Sequence, residues 1–236
     1  MTEELFREDA YAKECTAKVL GVDEVGVKLD RTVCYPMGGG QPGDTGTVTT
    51  VDGDEIRIVD TRKGEGPGDI VHVTENAVSQ SLIGSQVIVR IDWERRYRLM
   101  RTHTCLHLLG AVIPAGVTGG SVREGSGRLD FDLPDNTLDK EHITAELNRL
   151  IAEDHRIITE WITDEELAAQ PELVRTMSVK PPVGQGRVRL LHIASVDLQP
   201  CGGTHVASTG EVGTALVKKI EKKGKHNRRV NVVLVP

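Results

Sequence analysis

The chain has 236 residues, of which 38% are hydrophobic and 27% charged, and its net charge is −6. This is the composition of a globular protein of one or two domains, and it excludes a disordered chain. Only two Phe, three Tyr and two Trp are present, which argues against a single-strand binder built on many aromatic platforms.

The sequence carries no pattern typical of a membrane anchor or a targeting signal. The longest apolar run, around residues 106–117, is interrupted by His107, two glycines and Pro114, and it is shorter than the ~20 residues of a membrane helix. Acidic residues, Glu3 and Glu4, stand where a signal peptide carries basic ones. We therefore expect a cytoplasmic protein whose four cysteines are buried thiols or metal ligands rather than disulfides.

The first part of the chain, residues 1–92, has short alternating apolar segments separated by glycine-containing turns. This pattern predicts six β-strands and indicates a small β-barrel-like domain. Asp52-Gly53 stands between two of these strands and is typical of a hairpin turn. The predicted strands are Cys15–Leu20, Val25–Leu29, Thr45–Val51, Glu55–Asp60, Asp69–Val73 and Val87–Asp92.

The pattern then changes, so residues 93–236 are predicted to form a second domain of the α+β class, with helices against an antiparallel sheet. Apolar residues recur at helical spacing over Glu94–Ile113 and over Thr137–Asp154, which predicts two helices. Thr163 and Glu166 have the spacing of a capping box and predict a short third helix. The predicted strands are Arg156–Ile162, Val188–Val196, Val212–Ile220 and Arg229–Val235.

Two pairs of metal-binding residue types share the same spacing. His103 and His107 stand four residues apart in the first predicted helix, which places both imidazoles on one face. Cys201 and His205 have the same spacing in the segment CGGTH, where glycines let the backbone approach an ion closely. One thiolate and three imidazoles suit Zn²⁺, so we predict one zinc ion per chain at these four residues.

Cys105 lies between the two histidines of this helix but points away from their shared face, so it is predicted to be a buried thiol. Four protein ligands would close a zinc site, whereas three would leave a position for water or substrate. The spacing leaves both arrangements open. The helix also lacks the glutamate of the HExxH metallopeptidase motif.

One short segment concentrates positive charge in an otherwise acidic chain. Between Val217 and Arg229, seven basic residues stand against one acidic residue, a net charge of +6. We call these seven residues the basic tract; they indicate a local contact with RNA, and the alternative is a solvated edge strand and turn. The basic tract consists of Lys218, Lys219, Lys222, Lys223, Lys225, Arg228 and Arg229.

Several motifs, in the same order along the chain, resemble the editing domain of alanyl-tRNA synthetases. They are HTCLH at 103–107, RLDF at 128–131, QPCGGTH at 199–205, TGEVG at 209–213 and IEKKGKHNRRV at 220–230. YPMGGGQPGDTG at residues 35–46 resembles the glycine-rich loop of the β-domain that precedes it. We expect no aminoacylation domain, for which the chain has no room, so the chain is similar to the free-standing AlaX family in its medium-length form.

The resemblance implies an ATP-independent hydrolase for the ester that joins serine or glycine to the 3′-terminal adenosine of alanine tRNA. It implies that the four His and Cys residues named above hold zinc, which orients or activates the hydrolytic water. The acceptor stem would meet the basic tract. Thr118, between the zinc helix and RLDF, would read the serine hydroxyl; the alternative is an ordinary loop threonine.

The resemblance also implies that the loop Gly38-Gly39-Gly40-Gln41 approaches the editing pocket. The loop lacks the Gly-Lys-Ser/Thr ending of a nucleotide-binding loop, so we expect no nucleoside triphosphate. The alternative for these four residues is a tight β-turn with positive φ.

The residues alone leave two other functions open. One is a zinc-stabilised RNA-binding module without catalysis, in which metal loss unfolds the second domain and no ester is hydrolysed. The other is a small metallohydrolase of peptides or amides, against which the basic tract and the missing helix glutamate argue. The oligomeric state is also left open.

Overall fold

The protein divides into two compact units, Met1–Tyr97 and Arg98–Pro236. No helix among the described residues is both long enough and apolar enough to cross a membrane. The computed structural model of the chain describes residues 1–66, 68–133, 138–175, 177 and 186–235.

A closed barrel of six antiparallel strands forms most of the first unit. The strands of this unit are β1 (Glu3–Glu4), β2 (Glu14–Val22), β3 (Gly26–Leu29), β4 (Arg31–Thr32), β5 (Gly46–Thr50), β6 (Glu55–Lys63), β7 (Ile70–Thr74) and β8 (Gln86–Ile91). The barrel order is β2-β3-β7-β6-β5-β8, and β1 pairs with β4 in parallel. Short 3₁₀ helices lie at Leu5–Arg7 and Gln80–Leu82.

The barrel confirms the strands predicted for this part of the chain. Each of the six predicted strands overlaps one strand of the barrel, because alternation of apolar and polar residues is the signal of a strand with one buried face. In β8, for example, Val87, Val89 and Ile91 are buried in the barrel core while the residues between them are exposed. Strands β1 and β4 have two residues each and carry no such signal.

A buried ion pair holds the base of the glycine-rich segment. Arg96 and Asp44 are almost fully buried, and Arg96 Nε donates to Asp44 Oδ2 at 2.9 Å. Arg96 also donates to the carbonyl oxygens of Val33 and Ala10. The Asp44 carboxylate accepts the backbone N–H of Tyr35 at 2.6 Å. Both charges are therefore surrounded by partners, as a buried pair requires.

The glycine-rich loop itself forms a tight turn. Gly38 and Gln41 exchange two backbone hydrogen bonds of 3.1 and 2.9 Å. Gly39 and Gly40 have φ values of 56° and 82°. Residues other than glycine adopt these positive φ values only with strain. Gly39 and Gly40 are exposed, whereas Gln41 is buried. The backbone thus follows the tight-turn alternative, and the approach of these residues to a substrate stays a prediction.

The second unit contains two separate antiparallel sheets. Its helices are α1 (Trp93–Val112), which begins in the first unit, α2 (Lys140–Ala152) and α3 (Asp164–Ala168). Its strands are β9 (Val117–Arg123), β10 (Ser126–Asp132), β11 (Ile157–Thr163), β12 (Arg187–Ile193), β13 (Asp197–Pro200), β14 (Thr214–Lys222) and β15 (Asn227–Val235). One sheet has the order β14-β15-β10-β9 and the other β11-β12-β13. Short 3₁₀ helices lie at Pro171–Leu173 and Thr209–Val212.

The prediction of one antiparallel sheet in this unit was wrong. Of the four predicted strands, two became β11 and β12 in one sheet and two became β14 and β15 in the other. The predicted second helix begins at Lys140, where Asp139 caps it by accepting the N–H of His142. Residues 134–137, which include the predicted start, lie outside the described residues. The capping box of Thr163 and Glu166 is present at α3.

Helix α1 packs closely on the four-stranded sheet at a glycine. A Cβ atom on Gly127 of β10 would lie only 3.1 Å from side-chain atoms of Thr102 and Leu106. Gly127 therefore permits this close approach. Because successive helical residues are rotated by about 100°, fixing Thr102 and Leu106 on the sheet also fixes the direction of His103 and His107.

Candidate metal centre

Four side chains from two distant parts of the chain converge in the second unit. His103 and His107 lie on α1, and Cys201 and His205 lie in the loop that follows β13. One ligand atom from each of the four lies within 4.8 Å of all the others. Cys201 Sγ is 3.7 Å from His103 Nε2 and 3.2 Å from His205 Nε2. All three imidazoles are buried.

The distances fit a single tetrahedral metal ion. Zn–N bonds of ~2.0–2.1 Å and Zn–S bonds of ~2.3 Å place neighbouring nitrogen and sulfur ligands roughly 3.5 Å apart. The two distances measured from Cys201 Sγ lie on either side of this value. The cluster could therefore hold one ion once its most widely separated ligand atoms, up to 4.8 Å apart, move closer together.

Partners behind the imidazoles determine which ring nitrogen faces the centre. Thr104 Oγ1 lies 3.2 Å from His205 Nδ1. His107 Nδ1 lies 2.9 Å from the side-chain amide of Gln199 and 3.5 Å from Asp197 Oδ2. Because these Nδ1 atoms have partners of their own, the Nε2 atoms are available to the centre, as is usual for metal-binding histidines.

Asp197 is a buried carboxylate directly behind His107. Its Oδ2 also accepts a hydrogen bond from Gln199, and its Oδ1 lies 3.2 Å from Arg175 Nη1. The carboxylate thus links one predicted ligand to a partly exposed arginine. Gln199 was visible in the sequence motif QPCGGTH, but nothing in the sequence marked Asp197 or Arg175.

Arg189 on β12 holds the loop that carries Cys201 and His205. Its Nη1 donates to the carbonyl oxygens of Cys201 and Gly203 at 2.9 Å each. The Cys201 N–H donates to the Arg189 carbonyl oxygen at 3.1 Å, and the Gly203 N–H donates to Cys201 Sγ at 3.5 Å. N–H donors and nearby positive charge favour the thiolate form of a cysteine.

The thiol and the imidazoles of the cluster shift the pKa values of one another. Burial would raise the pKa of Cys201, but His103, His205 and His107 outweigh burial and hold this pKa well below its usual value. Burial would lower the pKa of His107, but Cys201 and Asp197 outweigh it and raise this pKa to about 9. Burial, together with His103, lowers the pKa of His205. Metal binding to a thiolate and neutral imidazoles therefore releases protons from this cluster.

Two other predicted positions lie apart from the four-residue cluster. Cys105 is a fully buried thiol, and burial raises its pKa to about 12. Thr118 lies in β9, so the alternative of a loop threonine was wrong. Its hydroxyl donates to the Asp130 carbonyl oxygen at 3.1 Å and accepts from Asn227 Nδ2 at 3.0 Å.

The basic tract forms the hairpin of β14 and β15, and carboxylates engage part of it. Arg229 makes a bidentate pair with Asp130 at 2.8 and 2.9 Å. Lys219 and Lys223 lie 3.1 and 3.2 Å from Glu221 Oε1, and their hydrogen bonds lower the pKa of Glu221 to about 2. Among the described residues, no ion pair involves Lys218, Lys222 or Lys225.

Family models match both units of the chain. Residues 188–231, which include Cys201 and His205, match the threonyl and alanyl tRNA synthetase second additional domain. Residues 5–95, which include the barrel, match the class II (A) tRNA synthetases. The barrel and the loop that carries Cys201 and His205 thus lie in segments related to tRNA synthetases, whereas His103 and His107 lie between the two matched segments.

Whole-chain relatives narrow this class to one family. The chain is 34% identical to the alanyl-tRNA editing protein AlaX-M of Saccharolobus solfataricus and 37% identical to that of Methanosarcina barkeri. Both alignments cover the full length of this chain and of the relative. It is 36% identical to the alanine–tRNA ligase of Pyrococcus furiosus, over 94% of this chain but 24% of the ligase. The chain belongs to the AlaX family of alanyl-tRNA editing proteins.

Proposed function

We propose that the protein hydrolyses the ester that joins a wrong amino acid, serine or glycine, to the 3′-terminal adenosine of alanine tRNA. The observation that carries this proposal is the buried cluster of His103, His107, Cys201 and His205. It occurs in a chain related over its full length to proteins named for alanyl-tRNA editing.

The ion proposed for the cluster is Zn²⁺, because one thiolate and three imidazoles are donors that zinc prefers. When bound, zinc would supply positive charge that polarises the ester carbonyl or the hydrolytic water. Cys201 is held among three imidazoles and serves as a ligand in this proposal, not as a nucleophile. Water is therefore proposed to attack the ester directly, without a covalent enzyme intermediate.

Thr118 is proposed to select serine through its hydroxyl. A hydroxyl has one proton and two lone pairs. The proton goes to the Asp130 carbonyl oxygen and one lone pair to Asn227 Nδ2, which leaves the second lone pair for the hydroxyl of a seryl substrate. Hydrogen bonding of this kind separates serine from alanine better than pocket size does.

The basic tract is proposed to contact the acceptor stem, chiefly through the lysines that no carboxylate of the described residues engages. Each phosphate contact adds about one unit to the slope of a plot of log affinity against log salt concentration. Replacing Lys218, Lys222 and Lys225 by alanine is expected to weaken tRNA binding and flatten this salt dependence. Replacing Lys219 and Lys223 is expected to change both less per residue, because Glu221 already offsets part of their charge.

The deciding experiment measures deacylation of seryl-, glycyl- and alanyl-tRNA(Ala), with zinc quantified in the same sample. Release of serine or glycine, with alanyl-tRNA spared, is the expected result. Stoichiometric zinc without release of any amino acid would contradict the proposal and favour an RNA-binding module whose metal stabilises the fold.

A further inference from the structure

We propose that Trp161 and Arg187 form a platform on which a nucleobase of the single-stranded 3′ end stacks while the ester lies at the metal centre. This inference rests on the proposed function and adds a base-binding subsite to the same site. Stacking on aromatic rings and guanidinium planes is the common way in which proteins bind unpaired bases.

Strand register places Trp161 in line with the metal loop. Trp161 of β11 is paired with Arg189 of β12, and Arg189 in turn bonds to Cys201 through its carbonyl oxygen. The three residues therefore form one row across the sheet. Because neighbouring strands lie about 4.8 Å apart, the backbones of Trp161 and Cys201 are about 10 Å apart.

The same register fixes the face of the sheet on which Trp161 lies. Residues directly opposite each other on antiparallel strands point to the same face. The Arg189 side chain reaches the carbonyl oxygens of Cys201 and Gly203, so its face is the one that carries the metal loop. Trp161 shares this face. Ile158, three residues earlier on β11, points to the opposite one, with His192 as its partner.

Trp161 is exposed, whereas the other tryptophan of the chain is partly buried among two tyrosines and a lysine. The Trp161 side chain is 39% exposed, and the Arg187 guanidinium carbon lies 4.4 Å from its ring centroid. Trp93, by contrast, has Tyr97 and Tyr11 at ring distances of 5.5 Å and Lys13 Nζ at 4.7 Å. Trp161 and Arg187 together offer a ring, a guanidinium plane and a positive charge, which match a base and its phosphate.

The chemistry of the proposed substrate requires a base site near the centre. The ester and the terminal base are attached to the same ribose, so the base must lie within a nucleotide's length of the metal. The separation of about 10 Å between the Trp161 and Cys201 backbones, along the row through Arg189, is compatible with this requirement.

The kinetic test compares Trp161→Ala, Trp161→Phe and Ile158→Ala on seryl-tRNA(Ala). Ile158 is the matched control, because it lies on the same strand with the same 39% exposure but on the opposite face. Trp161→Ala is expected to raise KM about 10-fold or more with kcat within a few-fold, which is the loss of one stacked base. Trp161→Phe should retain most of the affinity, and Ile158→Ala should match the wild type. Zinc content should be the same in all four proteins.

A binding measurement makes the test independent of catalysis. Fluorescence of the wild type is recorded as the trinucleotide CCA is added, and the signal of Trp161→Phe, which retains Trp93, is subtracted. Quenching of the Trp161 contribution is expected. A wild-type KM in Trp161→Ala, an equal rise in Ile158→Ala, or an unquenched Trp161 would overturn the platform. If the wild type hydrolyses no ester, the proposed function fails, and the quenching result still decides whether the base binds.

Discussion

At the scale of single residues, two cysteines provide a test of the ligand set, because Cys201 lies in the cluster and Cys105 lies outside it. Cys201→Ala removes the only thiol of the cluster, so zinc content should fall well below one ion per chain and deacylation should fall ~100-fold or more. Cys105→Ala removes a buried thiol outside the cluster and should leave zinc content unchanged. Metal analysis of the two purified variants measures the difference. Equal zinc loss in both would contradict the assignment.

Asp197 provides a second test at this scale, as a positioning residue. Asp197→Asn removes the negative charge that lies behind His107 and faces Arg175. Loss of such a carboxylate typically weakens metal binding by ~10–100-fold. Competition with a chromophoric chelator measures the zinc affinity of the folded variant.

Glu160→Gln is the matched control for Asp197→Asn. Glu160 also pairs with a histidine, His192, at 2.7 Å, but on the sheet face opposite the metal loop. Its replacement should leave the zinc affinity as in the wild type. Equal weakening in the two variants would indicate a general loss of sheet stability instead of a role for Asp197.

At the scale of elements, the contact between α1 and β10 depends on the glycine at position 127. Gly127→Val would place a side chain against Thr102 and Leu106 and should destabilise the second unit by about 1–3 kcal/mol. Gly110→Ala, in α1, would place its Cβ atom 4.0 Å from a Leu129 methyl carbon, an ordinary contact, and should stabilise α1 by up to ~1 kcal/mol. Urea unfolding of both variants gives the two free energies. Destabilisation by Gly110→Ala, or none by Gly127→Val, would contradict this account of the packing.

Regular spacing of apolar residues explains which elements could be predicted from the sequence. The barrel strands and α1 carry strong periodic patterns, so their positions were predicted correctly. The hairpin of β9 and β10 was missed because Gly119, Gly120 and Gly127 interrupt the alternation that marks a strand. At Gly127 the cause is tertiary, since helix packing requires a residue without a side chain. Four-residue β13, which ends in Pro200, was too short to give a pattern.

The candidate metal centre was predictable only in part for a related reason. Two pairs with equal spacing, on a helix and in a glycine-rich segment, identified the residues that converge. The groups that support them, Arg189 and Asp197, come from strands whose pairing determines their position. A single sequence carries no signal for strand register between distant segments, so these residues and the position of Trp161 emerged only from the fold.

At the scale of the whole molecule, acid should destabilise the barrel unit through one buried histidine. His72 is fully buried; its Nδ1 lies 3.1 Å from the Val27 carbonyl oxygen and its Nε2 lies 2.7 Å from the Thr32 hydroxyl. Burial lowers the pKa of His72 to about 4, whereas an exposed histidine has a pKa of about 6.5. Between these values the unfolded chain binds a proton that the folded unit does not, so stability falls as the pH drops from 6.5 to 4, by about 3 kcal/mol in total.

Comparison of the wild type with His72→Gln isolates this contribution. Glutamine retains a donor and an acceptor but does not titrate, so the variant should lose less stability on acidification. Each unit contains one tryptophan, and Trp161→Phe leaves Trp93 to report on the barrel during urea unfolding at pH 7 and pH 4.5. The same loss of stability in both proteins would show that His72 is not responsible.

The metal cluster joins positions that are far apart along the chain. An ion bound to both α1 and the loop after β13 closes a ring of about one hundred residues, in the manner of a chemical cross-link. Such a ring removes conformations from the unfolded chain, a loss worth roughly 5 kcal/mol if the ion stays attached there. Folding from a zinc-loaded chain would then begin with one of its long-range contacts already made, so the search that normally slows β-sheet assembly would be shortened.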